Sequence, residues 1–344
     1  MTTFQADEFL SASLMTELTD IRVTEPERPL RAAKGRKRRS QLTTDGKLNI
    51  LAADHPARRV TNVGSNPLGM ANRQDYLSRI VRVMLSEFVD GVMATMDILE
   101  DLLTLDDLLR RTDGPSLLDE KVLIASLNRG GLAETVWEMD DPLTGASAAT
   151  CAAWGFDGAK VLLRICDGEP GSLKTMLACA QAITELNALK LPMFLEPLPV
   201  VKAEKGYKVI KQAETLAQAA GVASALGDSS RYLWLKLPYC ENYEVVVSAT
   251  TLPILLLGGE AVGDATPLLR EVVAGLASGS NVRGALVGRN VLYPGTADPL
   301  AVGDAIGGII HKGWTVEQAL DHLHSFKGEH LDWAQRRLQA RSVG

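Results

Sequence analysis

The sequence predicts an α/β chain folded as a (β/α)8 TIM barrel with additional helices before and after it. Three observations carry that expectation. Eight short β-rich runs recur from residue 48 onward. The stretches between them are long enough for the crossover that parallel strands require, and several have helical spacing of apolar residues. The runs are also nearly continuously apolar, as strands buried on both faces are. Eight is the count that closes a barrel, and a doubly wound open sheet is the alternative.

Taken in order, residues 5–23 place Phe9, Leu10, Leu14, Leu18 and Ile21 at helical spacing. They predict a leading helix that packs on the main body or on a neighbouring subunit. The basic run from Lys34 to Arg39 follows in a segment that contains Pro26 and Pro29. A solvated linker or surface arm is expected there rather than a phosphate or nucleic-acid patch. The candidate strands are 48–53, 91–95, 121–126, 158–163, 192–196, 232–236, 253–257 and 284–287. Helical patterns lie at 75–88, 171–190, 203–219 and 266–276. The tail, 315–341, carries Val316, Ala319, Leu320 and Leu323 at helical spacing and reads as one appended helix. The expected divisions are therefore 1–45 (helix and basic arm), 46–312 (barrel) and 313–344 (helical extension).

Composition narrows the function classes. Of 344 residues 46% are hydrophobic, enough for a large core, and the formal net charge of −6 argues against a nucleic-acid-binding body. No apolar run approaches the roughly 20 residues that span a bilayer. Residues 1–24 mix acids with apolar residues and lack the basic start of a secretory signal, so a cytoplasmic protein is expected. Cys151, Cys166, Cys179 and Cys240 have no CxxC spacing and are expected as reduced thiols. Of the five histidines only His55 falls at a strand end, while His322 and His324 are expected on a helix surface. A histidine-based zinc site is therefore not expected, although a carboxylate-bound magnesium at Asp54 or Glu196 stays open. Neither a GxGxxG after a strand nor a GxxxxGK[ST] run occurs.

In a barrel, the residues at the carboxyl ends of the strands build the active site. Here those ends carry Asp54 and His55 (first), Asn128 and Arg129 (third), Lys160 and Arg164 (fourth) and Glu196 (fifth). Lys236 follows on the sixth, Gly258, Gly259 and Glu260 on the seventh, and Gly288, Arg289 and Asn290 on the eighth. Lys236, inside the run Tyr232 to Pro238, must snorkel, pair with an acid, or lose its proton. An uncharged amine is a nucleophile towards carbonyls, whereas a lysine just past a buried strand would simply be solvated. Lys160 and Lys236 pointing into one barrel would disfavour each other's charge. Asp54 and Glu196 could shuttle protons, or all four could form an ion-pair network without chemistry. Gly258, Gly259, Gly288 and Arg289 have the composition of a phosphate site, although glycine after a strand is also ordinary turn chemistry. His55 and Arg129 complete the binding candidates.

The set Ala53-Asp54-His55, Gly158-Ala-Lys160, Phe194-Leu-Glu196-Pro-Leu, Trp234-Leu-Lys236 and Val287-Gly-Arg289 resembles the class I (Schiff-base) aldolase superfamily. Within it the chain is most similar to the branch of tagatose-bisphosphate aldolase, the sulfofructose-phosphate aldolase and deoxyribose-phosphate-aldolase-like proteins, including one associated with actinobacterial inositol catabolism. The resemblance spans roughly 45–312. It implies a Schiff-base lysine at Lys236, an acid at Glu196, a second lysine at Lys160, and phosphate held near Gly259 and Arg289. A sugar-phosphate substrate, no cofactor, no nucleic-acid or membrane partner and a homo-oligomer are the matching expectations. The arm 1–47 and the Arg58-Arg59 pair depart from the pattern. A metal-assisted lyase or phosphosugar isomerase, and a non-catalytic sugar-phosphate-binding protein, are the alternatives.

Overall fold

The computed structural model describes residues 4–260, 263–328 and 332–340. Its sheet contains β1 (Leu48–Ala53), β2 (Gly91–Ala94), β3 (Val122–Ser126), β4 (Gly158–Ile165), β5 (Met193–Lys202), β6 (Tyr207–Val209), β7 (Leu233–Pro238), β8 (Ile254–Leu257) and β9 (Val282–Val287). Neighbours pair in the order β4-β3-β2-β1-β9-β8-β7-β5, and a β4–β5 pairing closes the ring. All eight ring strands run parallel. The protein is a (β/α)8 barrel. The eight expected strands are these eight.

Both faces of the ring are buried, for two different reasons. Leu48, Ile50, Met93, Ile124, Phe194, Leu255 and Leu286 point inward and pack as a separate apolar plug. Alternate residues such as Leu51, Val161, Leu195 and Leu235 point outward and join the larger core beneath the helices. Two close approaches fix the ring: an added Cβ on Gly91 would lie 1.9 Å from the Val122 carbonyl oxygen, and one on Gly284 would lie 1.9 Å from that of Leu48. Gly284 also has φ +124. No other residue fits there.

Helices Arg73–Met84, Pro170–Ala188 and Thr266–Ser278 match three of the expected four. The fourth is corrected. Residues 203–212 are not helical: β6 folds back antiparallel on the extended end of β5, and the helix starts only at Ala213 and runs to Ser224. Ala203, Glu204 and Lys205 have good helix propensity, but pairing of Tyr207 with Lys202 overrides it. The tail is likewise two helices, Val316–Ser325 and Trp333–Ala340, interrupted before Gly328 (φ +63). Arg341, its expected end, lies outside the described residues. The leading segment breaks at Leu10 into Ala6–Phe9 and Ala12–Thr24, where the Ser11 hydroxyl caps the second helix by accepting from the Leu14 amide.

The basic run is a surface arm, with Lys34, Lys37 and Arg38 exposed, but it is pinned to the body rather than loose. Helix Arg28–Gly35 leads it beneath the barrel, where Arg36 is buried, bonds the Lys121 carbonyl and pairs with Asp157 at 2.9 Å. Arg38 meets the same aspartate, and Arg39 lies 2.8 Å from Asp90. Three loops that precede β2, β3 and β4 are thereby tied to one strap. His322 also differs from expectation, packing its ring between Trp314 and Phe326. All four cysteines are free; Cys166 is half-buried and the others buried. No helix among the described residues is long and apolar enough to cross a membrane.

Candidate active site

The inward phase of the strands decides which side chains meet. On β4 it runs Lys160, Leu162, Arg164; on β5 it runs Phe194, Glu196, Leu198; on β7 it runs Trp234, Lys236, Pro238. Lys160 pairs in register with Phe194, and Phe194 with Trp234. Glu196 and Lys236 therefore stand two residues further along their strands, one inward layer above Lys160. Asp54 enters from the end of β1. At the end of β3, Asn128 exchanges hydrogen bonds with the backbone of Leu162, 2.7 and 2.8 Å, and so sets the chain direction at Arg129.

These groups form one buried network. Lys236 Nζ lies 2.9 Å from Glu196 Oε1, and Lys160 Nζ lies 2.6 Å from the other oxygen, Oε2. Lys160 also reaches Asp54 Oδ2 at 3.4 Å, and Arg129 pairs with that same carboxylate. Burial lowers the pKa of Lys236 from the usual 10.5; Arg129 and Arg289 push the same way, and Glu196 opposes them. Burial, then Arg129, drives Lys160 well below its usual value. Burial would raise the pKa of Glu196, yet the two lysines outweigh it and hold the carboxyl below the usual range. His55 is kept neutral, first by burial and then by Arg289, Lys236 and Lys160, and its Nδ1 has no hydrogen-bond partner.

A cavity of about 840 Å³ opens above this floor. Asp54, His55, Arg129, Glu196, Lys236 and Arg289 all line it, together with Gly258, Gly259 and Gly288. Lys160 does not; it lies beneath the floor and is 1% exposed. The structure thus brings the ten sequence candidates to one place but puts Lys160 out of reach of a molecule in the cavity. It acts on its neighbours' charge instead.

At the β8–β9 side, the Asn290 side chain donates to the Gly258 carbonyl and couples the two glycine-bearing loops. Gly259 has φ +69, and Lys211 Nζ would lie 3.7 Å from a Cβ placed there. Arg289 Nε is buried and unpartnered. Arg289 and Lys211 bring positive charge to this end of the cavity, with Glu260 and Glu271 close enough to interact with them. Packing also explains two of the glycines, because a Cβ on Gly258 would meet Val287 at 2.4 Å and one on Gly288 would meet His55 at 2.4 Å.

The opposite side, above β4, was less legible. Glu138 Oε1 holds Arg164 at 2.5 Å and Arg58 at 3.1 Å, which gives the Arg58 departure a place in the cavity wall. The 193–209 hairpin closes over it, with Gly206 beside the second Glu138 oxygen. Arg164 lay in plain sight on the Lys160, Leu162, Arg164 alternation. Glu138 sits mid-loop and Lys211 just past a hairpin read as helix, so neither carried a periodic signal. Among the described residues, no three His, Cys, Asp or Glu side chains gather as a metal-ligand set.

Comparison with known proteins bears on the fold and family. The crystal structure of Cgl0159 from Corynebacterium glutamicum is 36% identical, covers 89% of this chain and 99% of its own, and superposes with a TM-score of 0.82. An archaeal fructose 1,6-bisphosphate aldolase covers 78% of this chain and 95% of its own at 22% identity and TM-score 0.56. A structure of a Schiff-base-forming fructose-1,6-bisphosphate aldolase gives the same identity and coverage at TM-score 0.55; both likenesses are of fold. In sequence, 109 residues are 28% identical to 2-amino-3,7-dideoxy-D-threo-hept-6-ulosonate synthase 1 of Archaeoglobus fulgidus, but the match spans only 38% of that protein and 32% of this chain. The Cgl0159-like family model matches residues 46–306, the whole barrel, and the chain belongs to that family.

Proposed function

We propose that the protein is a class I aldolase that makes or breaks a carbon–carbon bond in a phosphorylated, or similarly anionic, keto-sugar through a Schiff base on Lys236. The observation that carries this reading is the position of Lys236 Nζ, at the cavity floor, 2.9 Å from Glu196 and depressed in pKa by burial. A neutral amine there is a nucleophile aimed into a cavity with Arg289 and Lys211 at one end. The barrel shared with Schiff-base fructose-bisphosphate aldolases supports the same reading.

The steps follow from the residues. Lys236 Nζ attacks the substrate carbonyl carbon to give a carbinolamine, whose hydroxyl leaves as water once protonated, forming a C=N⁺ iminium. Glu196, or Asp54 through a water, takes the proton of the hydroxyl on the far carbon of the scissile bond, whose C–O becomes the aldehyde C=O. The bond breaks, the aldehyde departs, and its electron pair flows into the iminium to give an enamine. Protonation of the enamine carbon and hydrolysis return the ketone and the free amine. Burial disfavours the charged form of Lys236, and Arg129 and Arg289 keep cationic charge near it, so that its amine stays unprotonated. Arg289, Lys211 and the Gly258-Gly259 backbone hold the anionic group away from the reacting bond and position the carbonyl.

The test is borohydride trapping with dihydroxyacetone phosphate, followed by intact mass and peptide mapping. A reduced adduct on the peptide containing Lys236, absent in Lys236→Ala, is the expected result. Turnover by Lys236→Ala at near-normal rate, or adducts on other lysines only, would sink the assignment.

A further inference from the structure

We infer a second ligand site on the face of the barrel opposite the catalytic mouth, built to take a small phosphate-bearing dianion. It lies in the groove between helix Arg28–Gly35 of the arm and the helix Met96–Arg110 that follows β2. That second helix leaves the mouth after β2 and runs the depth of the barrel, so Arg110 and Arg111 stand at its far end. The groove encloses about 200 Å³ and is lined by Arg28, Arg31, Arg110 and Arg111 against Asp106 and Asp107.

Four arginines line the groove with two acids that hold them, and Glu25 and Asp119 at its edge pair with Arg31 and Arg110. Asp106 Oδ1 accepts from the Leu117 amide at 2.6 Å and the Ser116 hydroxyl at 2.7 Å, while its Oδ2 accepts from Arg110 Nε at 2.9 Å. Asp107 Oδ2 accepts from Arg28 Nε at 2.7 Å and Arg111 Nε at 2.9 Å. These bonds fix the guanidinium planes.

One donor carries the argument. The Arg28 side chain is 5% exposed; its Nε has Asp107 and its Nη1 has Glu25 at 3.4 Å, but its Nη2 is buried with no partner. A buried, charged donor without an acceptor is costly, and Arg28 lines the cavity. A tetrahedral dianion satisfies it and takes bidentate bonds from the neighbouring arginines. The volume falls below the roughly 300–1,000 Å³ of ordinary organic-ligand pockets, which favours inorganic phosphate or a short phosphate ester over a nucleotide. Such a ligand would clamp the arm helix to the barrel helix and stabilise the fold by mass action.

The experiment uses the full-length chain and equilibrium dialysis with labelled inorganic phosphate, repeated with glycerol 3-phosphate. Because the mouth is itself proposed to accept phosphate, Arg289→Ala is the background that weakens binding there. In that background one phosphate per chain remains bound, and adding Arg31→Gln with Arg111→Gln weakens it at least tenfold. Arg31 and Arg111 are 60% and 54% exposed, so the substitutions spare the packing; unchanged circular dichroism checks this. Arg31→Gln with Arg111→Gln alone leaves turnover intact, and added to Arg289→Ala the pair removes the rise in melting temperature that phosphate gives that background. Tighter binding of the ester than of the free ion, or the reverse, identifies which source the site prefers. No stoichiometric binding of either probe in Arg289→Ala, or binding that the arginine substitutions leave unchanged, overturns the proposal.

Discussion

At the scale of single residues, burial and nearby cations lower the pKa of one amine, Lys236. Arg129 is the side chain to perturb, because it lies against Asp54 and lowers the pKa of both lysines without being the proposed nucleophile. In the proposed mechanism the reactive form of Lys236 is unprotonated, so the ascending limb of kcat/KM against pH is expected to track its pKa and lie below the usual 10.5. Removing the guanidinium charge in Arg129→Gln raises that pKa. The limb then moves to higher pH and the rate at pH 7 falls roughly tenfold, with partial recovery at alkaline pH. A uniform drop at every pH would mean that Arg129 only supports structure. Glu196→Gln acts with the opposite sign on the limb, since Glu196 raises the Lys236 pKa, but it also removes a proton acceptor and lowers the plateau at least a hundredfold. Most of these side chains were legible in the sequence because each is a polar residue in an otherwise apolar run. Glu138, whose carboxylate joins Arg58 to Arg164, was not, because a loop residue acquires its neighbours only through the fold.

At the scale of elements, the strands announced themselves and the hairpin did not. Parallel strands buried on both faces leave a continuous apolar run, and all eight leave it here. The β5–β6 hairpin depends on pairing beyond the barrel rim, where Lys202 meets Tyr207, and local propensity for 203–219 favoured a helix instead. The glycines where strands approach most closely give the sharper test. Gly284 combines φ +124 with a Leu48 carbonyl 1.9 Å from any added Cβ, so Gly284→Ala must part β9 from β1. A loss of more than about 3 kcal/mol, or an insoluble chain, is expected in urea unfolding. Gly313 is the control: it has φ +69 at the end of helix Pro299–Lys312 but open space around it, so Gly313→Ala costs about 1–2 kcal/mol from backbone strain alone. Equal losses at the two positions would remove the close-approach argument for ring closure.

At the scale of the whole molecule, charge joins the barrel's underside to the segment that precedes it. That segment looked like a linker because its basic residues cluster without an apolar period; their acids, Asp90, Asp157 and Glu120, are scattered over three distant loops and become partners only once the ring closes. His311, at the end of helix Pro299–Lys312, extends the same strap. Its Nδ1 lies 2.8 Å from Asp45, and its Nε2 lies 3.0 Å from Asp90, which also faces Arg39 and accepts from the Asn49 amide. Burial lowers the histidine pKa, but the two aspartates outweigh it and raise the value above the usual 6.5, while the Asp90 pKa is lowered below 3.8. For a group raised on folding, the stabilisation is complete below the unfolded value and disappears as pH climbs through the folded one. For Asp90 it is present above 3.8 and disappears as pH falls through its folded value. The staple is therefore strongest between those limits, in mildly acidic solution. His311→Ala should cost about 1–2 kcal/mol in urea unfolding at pH 6 and distinctly less at pH 9, where the wild-type imidazole is neutral too. A gap of the same size at both pH values would show that the ring fills space under the barrel and that its charge holds nothing together.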